Sequence, residues 1–135
     1  MKPYIHEVKY YETDQMKITH HSNYIRFMEE ARIDMQRQIG WEYIDFERAG
    51  IVSPVVSVCC NYKKTTTFSD IIEIEVKVKK FNGAKLALSY IMTCKGEVVA
   101  TGESEHCFMD EKGRLVNMKK RYPEFYEKVN GCIED

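Results

Sequence analysis

The 135-residue sequence carries almost no net charge: 20 lysines and arginines face 21 aspartates and glutamates, leaving −1. No whole-molecule field therefore draws it to nucleic acid or to an anionic membrane, and an anionic partner must be held by local cations. Long apolar runs are missing as well. No stretch approaches the ~20 residues that span a bilayer, and the charged, aromatic opening MKPYIHEVKYYE lacks the apolar segment of a signal peptide, so a cytoplasmic location is expected. With 3 prolines and 7 glycines, the chain shows no linker, low-complexity tract or internal repeat. The five cysteines (Cys59, Cys60, Cys94, Cys107 and Cys132) are odd in number and show no CxxC spacing, which argues against a zinc or redox site. They are expected to be reduced and mostly buried, as free cysteine commonly is.

What is present suits a single domain over residues 1–135. Hydrophobic residues make up 44% and charged residues 30%, an ordinary globular composition. A chain of this size can bury roughly two-thirds of the surface its unfolded form exposes.

Periodicity supplies the elements. In YIHEVKYY (4–11), Tyr4, His6, Val8 and Tyr10 alternate onto one face, predicting a strand. From Ser22 to about Ile39, apolar Tyr24, Phe27, Met28, Ala31, Met35 and Ile39 recur at three- and four-residue steps, predicting an amphipathic helix. Ser22 or Asn23 is expected to cap its start, and Gly40 to take the left-handed position past its end. A short helical segment, roughly 41–49, stops at Gly50. Residues 51–63 read as a strand whose Pro54 suits its start or an exposed edge. In DIIEIEVKVKK (70–80) the alternation is clearest, Ile72, Ile74, Val76 and Val78 opposing Glu73, Glu75, Lys77 and Lys79. Asn82-Gly83 then predicts a type I′ hairpin, with Leu86, Leu88, Tyr90 and Met92 alternating on the returning strand. Lys95-Gly96-Glu97 makes another turn before a strand from about Val98 to Met109, and a small helix begins at Pro123. The fold class is α+β: one antiparallel sheet folded around one helix. One helix covers one face only, so open sheet edges remain for a partner subunit, and at least a homodimer is expected.

Between the first strand and the helix lies TDQMKITHHSNY (13–24), with one acid, two adjacent histidines and a Ser-Asn pair. By composition it is a site or merely a polar loop, since Asp, Ser and Asn favour turns and caps for local reasons. Several chemistries use such residues. The two histidines could ligate a metal beside Asp14 or Glu29, although adjacent side chains diverge and no HExxH-like spacing exists. Glu29 or Glu30 on the helix could be the working carboxylate, or a cysteine and a histidine a nucleophile pair, although no cysteine stands out.

YYETDQMKITHHSNYIRFMEEAR (10–32) resembles the signature of the 4-hydroxybenzoyl-CoA thioesterase class of hotdog-fold acyl-CoA thioesterases: an aromatic strand end, Thr-Asp, a short loop, a His pair, Ser-Asn-Tyr and the start of a helix. The order of elements is similar too, so the resemblance covers nearly the whole chain. It implies a hotdog fold, a five-stranded antiparallel sheet wrapped around one long central helix, in a homodimer or homotetramer. The implied activity is hydrolysis of an acyl-CoA thioester with no metal or redox cofactor, CoA entering only as part of the substrate. Asp14 matches the catalytic carboxylate, acting as nucleophile or as the base that activates water. The backbone amide at His21 matches the donor that polarises the thioester carbonyl, and the His21 ring matches a histidine tied to catalysis in one branch only. Members commonly carry glycine where this chain has Lys17, which puts the loop conformation in question or adds a cation beside Asp14 and a substrate phosphate. The resemblance leaves two other readings, a hotdog protein that binds acyl thioesters without hydrolysing them and a hydroxyacyl-thioester dehydratase.

The chemistry fits independently. Thioester hydrolysis builds negative charge on the carbonyl oxygen, and the first amides of a helix are unpaired donors at the positive end of its dipole. One preorganised donor there is worth ~3–4 kcal/mol in the transition state, and a general base ~10²–10⁴-fold. For the rest of a CoA ester, Tyr24, Phe27 and Met28 in the first helical turns are candidates for the acyl pocket, shared with a core role. Lys79, Lys80 and Lys85 around the Asn82-Gly83 hairpin, and Lys63 with Lys64, are candidate phosphate cations.

Overall fold

The computed structural model describes residues 1–133. Five strands, β1 (Tyr4–Glu7), β2 (Val55–Tyr62), β3 (Ile71–Phe81), β4 (Leu86–Cys94) and β5 (Glu97–His106), pair antiparallel in the order β1-β3-β4-β5-β2. Four helices are described: α1 (Ser22–Gln38), α2 (Tyr43–Ala49), α3 (Met118–Arg121) and α4 (Pro123–Asn130). At 17 residues α1 is the longest of them. Its apolar stripe, Tyr24, Phe27, Met28, Ala31 and Met35, is buried with Ile72, Ile74, Leu88, Tyr90 and Met92 of the sheet in one core. At Gly102 the helix and β5 meet so closely that a Cβ would lie 2.8 Å from Met28 Cε. Trp41, Phe46, Phe81, Phe108 and Phe125 form an aromatic cluster at one end, with ring centroids 5.4–6.2 Å apart.

Helix ends follow the glycines, with φ at 81° for Gly40 and 69° for Gly50. Pro123 opens α4 as its first residue.

Several expectations are corrected. β1 ends at Glu7 rather than Tyr11, because its partner β3 begins at Ile71, opposite Glu7. The chain then forms a 3-10 turn over Tyr10–Glu12, which leaves Tyr10 exposed. Asn82-Gly83 does not make a two-residue turn. A bulge between Val78 and Lys80 shifts the register so that Phe81 faces Leu86, and Asn82 Oδ1 accepts the amides of Ala84 and Lys85 in a wider loop. The two-residue turn with two positive φ angles is Lys95-Gly96, at 54° and 80°, closing Cys94 against Glu97. β2 starts at Val55 and β5 ends at His106, while Val52 and Leu115 bridge Met109 outside the strands. α3 had no periodic signal at four residues. The cysteines are free, but only Cys94 is buried. β2 is an outer strand, which exposes Cys59.

Candidate functional site

Past β1 the Val8 amide still donates to Asp70 O and the Ser69 amide to Val8 O, both at 2.9 Å; beyond Val8 the chain turns away and a side chain anchors it. Glu12 is that anchor. It is 7% exposed, and its Oε1 accepts the Lys9 amide at 2.7 Å and lies 2.8 Å from His6 Nε2. Its backbone carbonyl accepts the His20 amide at 2.9 Å and Asn23 Nδ2 at 2.8 Å. The other nitrogen of His6 faces Glu30 Oε2 at 3.3 Å, and that oxygen also accepts the Tyr4 hydroxyl at 3.0 Å.

Residues 13–19 then form a small hairpin. Thr13 and Thr19 bridge, the Asp14 amide donates to Ile18 O and the Lys17 amide to Asp14 O. This is the pattern of a three-residue loop closed by a left-handed residue, and Lys17 is that residue, with φ 66°. The departure from glycine therefore leaves the turn intact, at a cost of ~1–2 kcal/mol. The turn is pinned to the segment after β2: Thr67 Oγ1 donates to Lys17 O at 2.7 Å, the Thr19 amide donates to Thr66 O at 2.8 Å, and Thr66 Oγ1 sits 2.7 Å from Thr19 Oγ1 and 2.8 Å from the Tyr24 hydroxyl.

The start of α1 is arranged differently from the expected cap. Ser22 Oγ pairs with His20 Nδ1 at 2.8 Å and the Asn23 amide group is spent on Glu12. His21 takes the capping position with no side-chain bond to the helix amides. Its own amide has no acceptor among the described residues. The His21 carbonyl accepts the Tyr62 hydroxyl at 3.0 Å, and the Tyr62 ring stands edge-on to those of His21 and Tyr24, with centroids 6.2 and 5.3 Å away.

Asp14, His21, Tyr24, Tyr62 and Lys63 thereby border one cleft of about 240 Å³. Asp14 Oδ1 accepts the Met16 amide at 2.8 Å, which fixes the carboxylate and leaves Oδ2 without a partner among the described residues. Burial holds the Tyr24 hydroxyl above its ordinary pKa. Lys63 makes no ion pair among the described residues, whereas Lys64 is held by Glu97 at 2.6 Å. That pairing lowers the pKa of Glu97.

The other candidates lie elsewhere. Phe27 is fully buried, its ring tilted 34° against that of His6 with centroids 4.1 Å apart, and Met28 lies deeper along α1 under Gly102. Lys17 does not border the cleft but flanks its loop. Lys80 and Lys85 line a separate cavity of about 430 Å³, where Lys79 is bound to Glu103 at 2.8 Å. Glu30 is committed to Tyr4 and His6, and Glu29 lines a further cavity. Among the described residues no three His, Cys, Asp or Glu side chains converge on a metal position. The sequence reading missed Tyr62 and the His6–Glu12–Glu30 chain. His6 was visible only as an inward residue of the first strand, with no local sign that two carboxylates would meet it.

A sequence profile of the thioesterase-like superfamily matches residues 8–129. This chain belongs to that superfamily. The Bacillus subtilis protein YneP, which bears a provisional acyl-CoA thioesterase name, is 33% identical over 128 residues, covering 91% of this chain and 93% of YneP. The long-chain acyl-CoA thioesterase FadM of Escherichia coli is 28% identical over 97 residues, 70% of this chain and 72% of FadM. The crystal structure of a DHNA-CoA thioesterase from Staphylococcus aureus superposes with a TM-score of 0.92 at 29% identity, covering 96% of this chain and 89% of that one. The thioesterase-like hotdog fold is thus shared across the five-stranded antiparallel sheet and its helices. Among the described residues no helix is long and apolar enough to cross a membrane.

Proposed function

We propose that this protein hydrolyses acyl-CoA thioesters in the cleft between the Asp14 hairpin and the start of α1. The observation that carries the reading is the meeting, on one cleft, of a carboxylate with a free oxygen and a helix-start amide with no acceptor. With the thioester carbonyl oxygen at the His21 amide, the donor strengthens as negative charge develops there. Asp14 takes a proton from water as the water adds to the carbonyl carbon, or adds to that carbon itself. Collapse of the tetrahedral intermediate breaks the carbon–sulfur bond, and the CoA thiolate takes the proton Asp14 has gained in the first case or one from water in the second. In the second case water then hydrolyses the acyl-enzyme anhydride. No metal or redox cofactor enters either route.

The rest of the ester has candidate partners. Lys63 sits at the cleft, and Lys80 and Lys85 offer a second cationic surface for the nucleotide phosphates. The finer assignment to the 4-hydroxybenzoyl-CoA class, with α1 as the central helix, rests on the residue pattern 10–32. A homo-oligomer is supported by β2, an open outer strand with Val55, Val56 and Val58 exposed.

The test is thiol release from purified protein with acyl-CoA esters of varied length and one aromatic ester, repeated with Asp14→Asn. A loss of ~10²–10⁴-fold in kcat is expected. Unchanged release in the variant rules out Asp14 as the working group, and tight ester binding with no release by the unaltered protein rules out hydrolysis.

A further inference from the structure

Of the buried residues of α1, Arg32 alone carries a permanent charge. Counting in fours from Tyr24 and Met28, it falls on the inward face, so a guanidinium occupies a position where the spacing calls for a core side chain. Arg32 is 9% exposed and makes no hydrogen bond or ion pair with a described residue. It lines a cavity of about 90 Å³ between α1 and β2, with Ile25, Met28, Glu29, Val55 and Val58 around it.

The groups behind the guanidinium supply no counter-charge. Burial raises the pKa of the Tyr90 hydroxyl and pushes that of His106 down to about 4, so both are neutral. Ser104 Oγ joins them, 2.8 Å from the Tyr90 hydroxyl and 2.7 Å from His106 Nε2. A charge drawn out of water is kept where an opposite charge meets it, and here that charge must come from outside the protomer. The position can be reached, because none of the Arg32 nitrogens is sealed from the surface, in contrast to Nδ1 of His106. Its rim is apolar and open: Val55 is 53% and Val58 42% exposed, on the outer strand of the sheet. An arginine ringed by exposed apolar side chains has the composition of an interface centre rather than of a solvated face.

The chain carries the matching charge itself. Glu29 borders the same cavity, is exposed, and forms no ion pair among the described residues, with Arg32 one turn away included. In a two-fold contact one patch meets its own copy, so an acid and a cation side by side on one protomer face a cation and an acid on the other. We infer that a second copy of this chain covers the cavity by a two-fold contact across the β2 edge, in which Arg32 of each copy pairs with Glu29 of the other. The inference rests on the homo-oligomer reading above and adds the pair that sets the register of the contact. A small free anion entering beside Arg32 would meet the Glu29 carboxylate of the same chain, whereas on a second copy that carboxylate is the ligand.

Sedimentation equilibrium of the full chain tests this with two variants and their mixture. Glu29→Arg alters an exposed position and should weaken self-association at least ~10²-fold, since each pair then sets two arginines against each other; Arg32→Glu should do the same with two carboxylates. An equal mixture of the two variants should associate within ~10-fold of the parent, because one copy then brings arginine at both positions and the other glutamate. Should Arg32→Glu not fold, Arg32→Met takes its place. It removes the charge, and Glu29→Arg added to it should then weaken association by less than about threefold. A Glu29→Arg protein that associates as the parent does, a mixture no tighter than its components, or an effect of Glu29→Arg undiminished in Arg32→Met overturns the inference. Weakening by Val56→Lys without weakening by Glu29→Arg removes the pairing and leaves the β2 edge as the subunit contact, and a monomeric parent removes both.

Discussion

Replacing His6 by leucine tests how the Asp14 loop is held, because His6 ties Glu12, and through it His20 and Asn23, to the sheet. Leucine fills comparable space against Phe27, whose ring now lies 4.1 Å from the imidazole, so packing loss is small. The electrostatic loss is not. Glu12, 7% exposed, would keep only the Lys9 amide on Oε1, having lost His6 Nε2 at 2.8 Å. Leaving a buried carboxyl group short of one of its hydrogen bonds costs ~1.5–3 kcal/mol, and with the Lys9 amide alone left to Oε1 the loss falls at the upper end, ~3 kcal/mol. Against a total stability of ~5–15 kcal/mol, that lowers Tm by roughly 10 °C. Urea unfolding followed by the fluorescence of Trp41, the sole tryptophan, measures it. The His6→Leu/Glu12→Leu double variant buries no charge and should recover about half the loss. In the single variant kcat should fall more than KM changes, because the loop that positions Asp14 loosens while the ester-binding surfaces stay. A single variant within about 0.5 kcal/mol of the parent would refute the anchoring role, since an interaction worth so little belongs to the exposed-pair range.

Other perturbations probe separate links. Lys17→Gly relieves ~1–2 kcal/mol of left-handed strain and loses ~0.4–1 kcal/mol to the freer unfolded chain, so a net gain of about 0.5–1 kcal/mol is expected by urea titration. A loss would mean that the lysine side chain holds the turn. Burial of His106 gives stability that is present above the ordinary histidine pKa and lost as pH falls from about 6.5 toward 4, ~3 kcal/mol at most. His106→Gln should flatten the unfolding free energy across that window relative to the parent, and matching slopes would show that the ring is not neutral in the fold. Val56→Lys places charge on the open edge of β2, and sedimentation should show association of copies weakened; an unchanged assembly would put the subunit contact elsewhere.

The sequence-structure correspondence is good wherever the informative residues and their partners are close in the chain. The bounds of α1 follow from its apolar spacing and Gly40, and the inward residues of β3 and β4 follow from simple alternation. Alternation cannot report where a neighbouring strand begins, so Tyr10 fits the pattern of β1 while lying beyond the last pairing, Glu7 with Ile71. Turn preference likewise ranks Asn82-Gly83 above Lys95-Gly96, yet a bulge at the end of β3 gives the tight turn to the weaker sequence.

The start of α1 shows the same conflict at the proposed site. Ser22 and Asn23 have the residue types that cap a helix, and a cap would stabilise it by ~1 kcal/mol. Both are instead turned sideways, Ser22 to His20 and Asn23 to Glu12. A helix start satisfied by its own side chains has less to offer a ligand. The bonds that tie those two side chains to the preceding loop hold the hairpin that carries Asp14, beside a His21 amide with no acceptor among the described residues. The local rule gives way where the proposed oxyanion donor is needed, which is where sequence-level consistency is expected to break. Ser22→Ala should therefore cost less helix stability than a capping serine would, and should act on kcat by loosening the His20–His21 segment that presents the free amide. A Tm loss of the size of a full cap with kcat unchanged would contradict this division of labour.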